Sequence, residues 1–185
     1  MPVIIGDRAA SFSNPLALLS DCHRRIEMFL RALIAVADQS RDGSLNAEQR
    51  EALEKALVYF REAAPKHTAD EEESLFPRMR RVGGDEVRAA LAQVDALERE
   101  HRIADELHRR IDRLGQKWLA SGALAADELT QVRTALAELK NIYDRHIAIE
   151  DEQVFPLAKK ILAAEEQKKV GEEMASRRGA KKCEP

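Results

Sequence analysis

The strongest constraint on this chain is a pattern that it carries twice. The first copy runs His67, Glu71, Glu72 and Phe76-Pro77; the second runs His146, Glu150, Asp151 and Phe155-Pro156. In each, a carboxylate follows the histidine by four residues, a second acid stands beside it, and Phe-Pro closes the segment at the same distance. Residues four apart lie one above the other on a helix. Each copy therefore sets an imidazole and a carboxylate on one face, a pair able to hold one metal centre. The pattern asks for helices, and for two of them to face each other.

The rest of the chain agrees with helices. Ala, Leu, Glu and Arg are plentiful and only 4% of residues are aromatic. Charged residues make up 34% of the chain with both signs mixed, and the net charge is -3, which argues against nucleic acid as the main partner. No apolar run is long enough for a membrane span. The start, Met1 to Gly6, lacks the basic region and long apolar core of a signal peptide. The two cysteines, Cys22 and Cys183, are far apart and give no disulfide framework. These features lead us to expect a soluble cytoplasmic protein.

Four long helices are expected. Asn14-Pro15 is a start signal with a capping side chain, and Leu18, Leu19, Cys22, Ile26, Phe29, Leu30, Leu33 and Val36 recur at helical spacing to about Gln39. Asn46 caps a second helix over 47–81, with a kink expected at Pro65 and a further disturbance at Phe76-Pro77. Gly83-Gly84 forms a turn, Asp85 caps a third helix over 86–120, and Ser121-Gly122 stops it. Asp127 caps a fourth helix that reaches Phe155-Pro156. Strand signals are absent. The expected fold is all-α, an up-down-up-down four-helix bundle with a short extra C-terminal helix. Residues 1–13 form a leader, 14–164 the bundle, and 165–185 the C-terminal helix and a mobile basic tail.

Histidine heights can be counted from the turns that neighbouring helices share. His23, His67, His101 and His146, one per helix, fall within about a turn of one level. His108 shares the face of His101 but lies about 10 Å further along the axis, so it cannot join them. Glu27 and Asp105 also follow histidines by four and are as readily surface acids as groups that orient a ligand. Tyr143 shares the face of His146 and is expected to pack. Cys22 reads as a small buried hydrophobe.

Four imidazoles with two carboxylates exceed what one tetrahedral zinc needs. Calcium and magnesium sites do not use histidine. Mixed nitrogen and oxygen donors suit iron, with manganese second. Two carboxylates from opposite helices can bridge two ions, leaving about one open position on each.

The order His23, His67-x-x-x-Glu71, His101, His146-x-x-x-Glu150 resembles the hemerythrin-like (HHE cation-binding) family. So do the flanks around His23, around Glu100-His101, and from Gly171 to Arg178. The resemblance spans about residues 14 to 178. It implies a bundle holding a non-haem di-iron centre with an oxo or hydroxo bridge, His23, His67, His101 and His146 as terminal ligands, and Glu71 and Glu150 as bridges. Oxygen-carrying members have a second histidine on the third helix where this chain has Asp105, which argues against a permanent carrier. Their last carboxylate is an Asp five residues after its histidine, here Asp151; the internal repeat favours Glu150.

The expected function is reversible binding or sensing of dioxygen, nitric oxide or a peroxide. The alternative is a di-iron redox enzyme: an oxidase, a peroxidase or a nitric-oxide-handling activity. Ferritin-like storage ranks below both, because only one Glu-x-x-His motif occurs, Glu98 to His101. A zinc hydrolase ranks lowest, since His-Glu-x-x-His is missing.

Overall fold

The computed structural model describes residues 11–180. The first ten residues of the expected leader, and 181–185 of the expected tail with Cys183, lie outside that range.

Helix α1 spans Pro15–Gln39. The second rod is interrupted: α2 is Ala47–Glu62, α3 is Ala64–Ala69, a π-helical turn covers Asp70–Leu75, and α4 is Phe76–Val82. Helix α5, Asp85–Ser121, is continuous. The last rod repeats the interruption, with α6 at Ala126–Ile149, a π-helical turn at Glu150–Val154 and α7 at Phe155–Ile161. Helix α8, Ala164–Arg177, follows. Helix α1 packs on α2 and α6, and α5 packs on the same two, so the four rods close an all-α bundle. No helix among the described residues is long and apolar enough to cross a membrane.

Helix ends follow local chemistry, with three corrections. Asn46 forms a full capping box: its side chain accepts from Gln49 N–H at 2.8 Å, and Gln49 Oε1 accepts from Asn46 N–H at 2.9 Å. Gly122 ends α5 in the left-handed conformation, φ 77°. Asn14, however, makes no side-chain cap, and the helix begins there because Pro15 fixes φ and has no N–H to satisfy. Asp85 and Asp127 are not caps; each lies in a first turn, where its charge suits the helix dipole.

Pro65 acts as expected. The rod breaks at Ala63, and the N–H groups of both Lys66 and His67 turn to Ala63 O. The Phe-Pro pairs act upstream of themselves. Phe76 N–H reaches back five residues to Glu71 O, and Phe155 N–H to Glu150 O. A proline one residue later cannot donate, and its ring crowds the carbonyl four before it; the widened π turn relieves both. The disturbance thus falls on the carboxylate segment itself rather than beyond it.

Two apolar clusters fill the bundle. One includes Ile26, Ala64, Ala104 and Ile147 and runs to Trp118. The other includes Leu19, Leu75, Leu97 and Val154 and extends to Met174 on α8. Along each rod, the histidine falls where one cluster gives way to the other. A polar layer therefore lies between two dry ones. Helix α8 closes the second cluster, and its Gly171 lets the chain at Phe12 approach: a Cβ there would stand 1.8 Å from Phe12 O.

Candidate metal centre

His23 comes from α1, His67 from α3, His101 from α5 and His146 from α6, and all four are buried. Glu71 and Glu150 stand at the two π turns, each with no exposure to solvent. The structure brings these six residues together. His67 Nε2 lies 3.2 Å from Glu71 Oε1, and His146 Nε2 lies 3.1 Å from Glu150 Oε2. Across the bundle, His23 Nε2 is 3.1 Å from Glu150 Oε2 and 3.7 Å from Glu71 Oε1, while His101 Nε2 is 3.5 Å from Glu71 Oε2.

The atoms fall into two overlapping groups. His23, His67, Glu71 and Glu150 offer donor atoms all within 4.8 Å of one another, and so do Glu71, His101, His146 and Glu150. Both carboxylates belong to both groups. Each group thus joins two imidazoles to the same two acids.

The electrostatics of this layer call for cations. All four carboxylate oxygens of Glu71 and Glu150, and His23 Nε2, are buried without a hydrogen-bond partner. Burying such groups unpaired costs several kcal/mol each. Burial and the neighbouring charge of Glu150 push the Glu71 carboxyl up to about 7. Burial would raise Glu150 too, but His146 and His23 outweigh it and hold its carboxyl low. Burial opposes a charge on His23, yet Asp151, Glu150 and Glu71 together push the imidazole up to about 12. Burial, followed by repulsion from His23, drives His67 well down. Divalent cations between these groups would satisfy the four carboxylate oxygens and His23 Nε2 at once, and the donor set fits them.

The second acids of the repeat have a distinct task. Glu72, beside Glu71, accepts from His101 Nδ1 at 2.8 Å. Asp151, beside Glu150, accepts from His23 Nδ1 at 3.1 Å and from Ser20 Oγ at 2.6 Å. Each thereby turns the Nε2 of a histidine on another rod toward the centre. Glu100 does the same for His146 Nδ1, at 3.4 Å, and also pairs with Arg145. His67 Nδ1 alone has no partner. Of the two acids left open by the sequence, Glu150 faces the centre and Asp151 braces His23.

The aromatic half of Phe-Pro also serves the site: Phe155 stacks on His23 with ring centroids 5.3 Å apart. Asp105 pairs with Arg109 on the surface and does not orient His101. Glu27 likewise takes no part, since His23 Nδ1 is bound by Asp151. Cys22 is buried and free beside the centre without contributing to it. His108 stays outside, as the height count requires; its Nε2 shares a hydrogen bond of 2.8 Å with the Tyr143 hydroxyl, and Tyr143 lines the metal-layer cavity.

The sequence reading missed one cluster. Asp70, fully buried just before Glu71, receives Arg177 at 2.9 Å and Arg178 at 2.6 Å from the end of α8. Its signal was an acid at a core-facing position of a helix, hidden within a run of acids.

A family model for the hemerythrin HHE cation-binding domain matches residues 14–158. The chain belongs to this family. As a hemerythrin-like protein it is metal-binding. Its matched stretch contains all six centre residues and ends two residues after Pro156. A Haemophilus influenzae protein bearing the name "Uncharacterized protein" is 28% identical over 182 residues, covering 98% of this chain and 99% of its own length. That likeness takes in α8 as well as the bundle.

Proposed function

We propose that this hemerythrin-like protein holds two iron ions and uses them to bind or sense dioxygen, nitric oxide or a peroxide. The observation that carries the reading is the sharing of Glu71 and Glu150, unpartnered and buried, between two pairs of imidazoles. His23 and His67 would hold one ion, His101 and His146 the other, and both carboxylates would span them. Two nitrogen and two oxygen donors at each position suit iron first and manganese second. When bound, the pair of ions supplies open coordination positions and reversible one-electron chemistry. The chain's own residues do the remainder. Glu72, Glu100 and Asp151 fix the imidazole tautomers, and the two apolar clusters keep bulk water away.

A redox enzyme is the second reading. It is favoured by Tyr143, a hydroxyl-bearing side chain on the cavity wall with a hydrogen-bonded histidine behind it. Turnover assays with peroxide separate the two.

The test of the first reading is metal analysis with ultraviolet–visible spectra before and after reduction and re-exposure to oxygen. A reversible di-iron spectrum is expected, and His67→Ala or His146→Ala should lose iron. Wild-type protein purified without iron or manganese would overturn the proposal.

A further inference from the structure

Pro65 does more than break a rod. On the outer side of the break, a cleft runs between the α2–α3 junction and α5. Its outer part, about 160 Å³, is lined mainly by Leu33, Leu57, Phe60, Pro65 and Ile111. Its inner part, about 150 Å³, shares Phe60, Pro65, Asp105 and His108 with the outer one and adds Ala104 and Tyr143. The inner part in turn shares Ala64, Thr68, His101 and Tyr143 with the cavity of the metal layer. The three spaces therefore adjoin one another in series from the surface to the wall of the centre.

The lining has a definite chemistry. The charged groups at the rim are paired with one another: Arg61 with Asp112 at 2.6 Å, and Arg109 with Asp105. Neither sign is left over to hold an ion. Burial pushes His108 down to about 4, so its imidazole is neutral at ordinary pH. Phe60 stacks on that imidazole at 4.4 Å, and the walls beyond are apolar. The polar groups at the inner end are Thr68, His101 and the Tyr143–His108 pair; Asp105 is taken up by Arg109 and His101 Nδ1 by Glu72. Tyr143 Oη and His108 Nε2 share one hydrogen bond of 2.8 Å, and whichever of them donates, the phenol oxygen keeps a lone pair able to accept. A small diatomic needs none of this room; an apolar cavity of about 150 Å³ can hold a benzene ring.

We propose that the cleft is a binding site for a neutral, hydroxyl-bearing organic molecule about one ring in size, seated between Phe60 and Ala104 with its hydroxyl donating to Tyr143. Such a molecule stands next to the metal layer without needing to ligate it. The site stands on the cleft, not on the identity of the metal.

The experiment is fluorine NMR of full-length protein, as purified, with 4-fluorophenol as probe and 4-fluoroanisole and 4-fluorobenzoate as comparators. Saturable binding of 4-fluorophenol, displaced by phenol, and no binding of the anionic benzoate are expected. Ala104→Phe should weaken 4-fluorophenol by roughly tenfold or more by filling the seat. Tyr143→Phe should weaken it about three- to tenfold, the worth of one neutral hydrogen bond, and leave 4-fluoroanisole unchanged. Unaltered metal content in both variants separates loss of the seat from loss of the centre. Should Ala104→Phe fail to fold, the Tyr143→Phe comparison decides alone. Equal affinity of wild type and Tyr143→Phe for 4-fluorophenol, or equal binding of 4-fluorobenzoate, would overturn the assignment.

Discussion

The two copies of the His-x-x-x-Glu pattern build the same π turn and then differ in what surrounds it. Position by position, Asp70 in the first corresponds to Ile149 in the second, and Ala64 to Tyr143. The first copy is clamped by charge: Asp70 is held by Arg177 and Arg178 from α8. The second is held by apolar packing, with Ile149 against the cluster around Leu19 and Phe155. The imidazoles differ in the same sense. His146 has Glu100 behind its Nδ1, whereas His67 has nothing. One motif is thus supported in two ways, and the centre is symmetric in its donors but not in its scaffolding.

The sharpest way to break this comparison is to cut both supports. Asp70→Ala removes the buried partner shared by two half-buried guanidinium groups, leaving Arg177 the exposed Glu73 and Arg178 the Met174 carbonyl, and should cost about 3 kcal/mol in chemical denaturation. Ile149→Ala, at the matching position, should cost only about 1–2 kcal/mol, since it is partly exposed. Equal losses would show that the clamp is ornamental.

A smaller effect concerns the Tyr143 side, which the first copy lacks. His108 titrates at about 4 when folded, below its ordinary 6.5, because burial disfavours its charge. The unfolded chain therefore binds this proton first. The stability involved is complete above pH 6.5 and is lost as pH falls toward about 4. His108→Phe should flatten that part of the stability–pH curve by on the order of 2 kcal/mol. An unchanged slope in the variant would contradict a neutral buried His108.

The smallest effects are expected at the bracing acids. Glu72→Gln and Asp151→Asn each leave the donor set intact but weaken the orientation of one imidazole, and each should lower metal affinity roughly tenfold. Competition with a chromophoric chelator measures this. A loss as complete as that of a ligand variant would mean that Asp151 or Glu72 is itself a ligand.

Much of this was legible beforehand for a physical reason. A repeated spacing on a helix face survives errors of a few residues at helix ends, so the bundle and the level of His23, His67, His101 and His146 could be read from turns alone. The three misplaced caps show the opposite case. Asn14, Asp85 and Asp127 have the right chemistry, but whether a side chain caps depends on one backbone angle that neighbours decide. The choice between Glu150 and Asp151 was legible only as a preference for Glu150, drawn from the internal repeat. Both lie near the inner face; Glu150 keeps ordinary four-residue spacing from His146 and faces the centre with it, while Asp151, one position round, meets His23 on α1. The Asp70 clamp needed knowledge of where α8 docks, a tertiary contact that no local pattern encodes.

The proposed centre depends above all on Glu71 and Glu150 being shared by two ions. The most direct test is metal content per chain, by elemental analysis, in wild type and in Glu150→Ala. About two iron or manganese ions are expected in the wild type and close to none in the variant, because losing a shared ligand weakens both positions. A single ion in the wild type, or one ion kept firmly in Glu150→Ala, would contradict it.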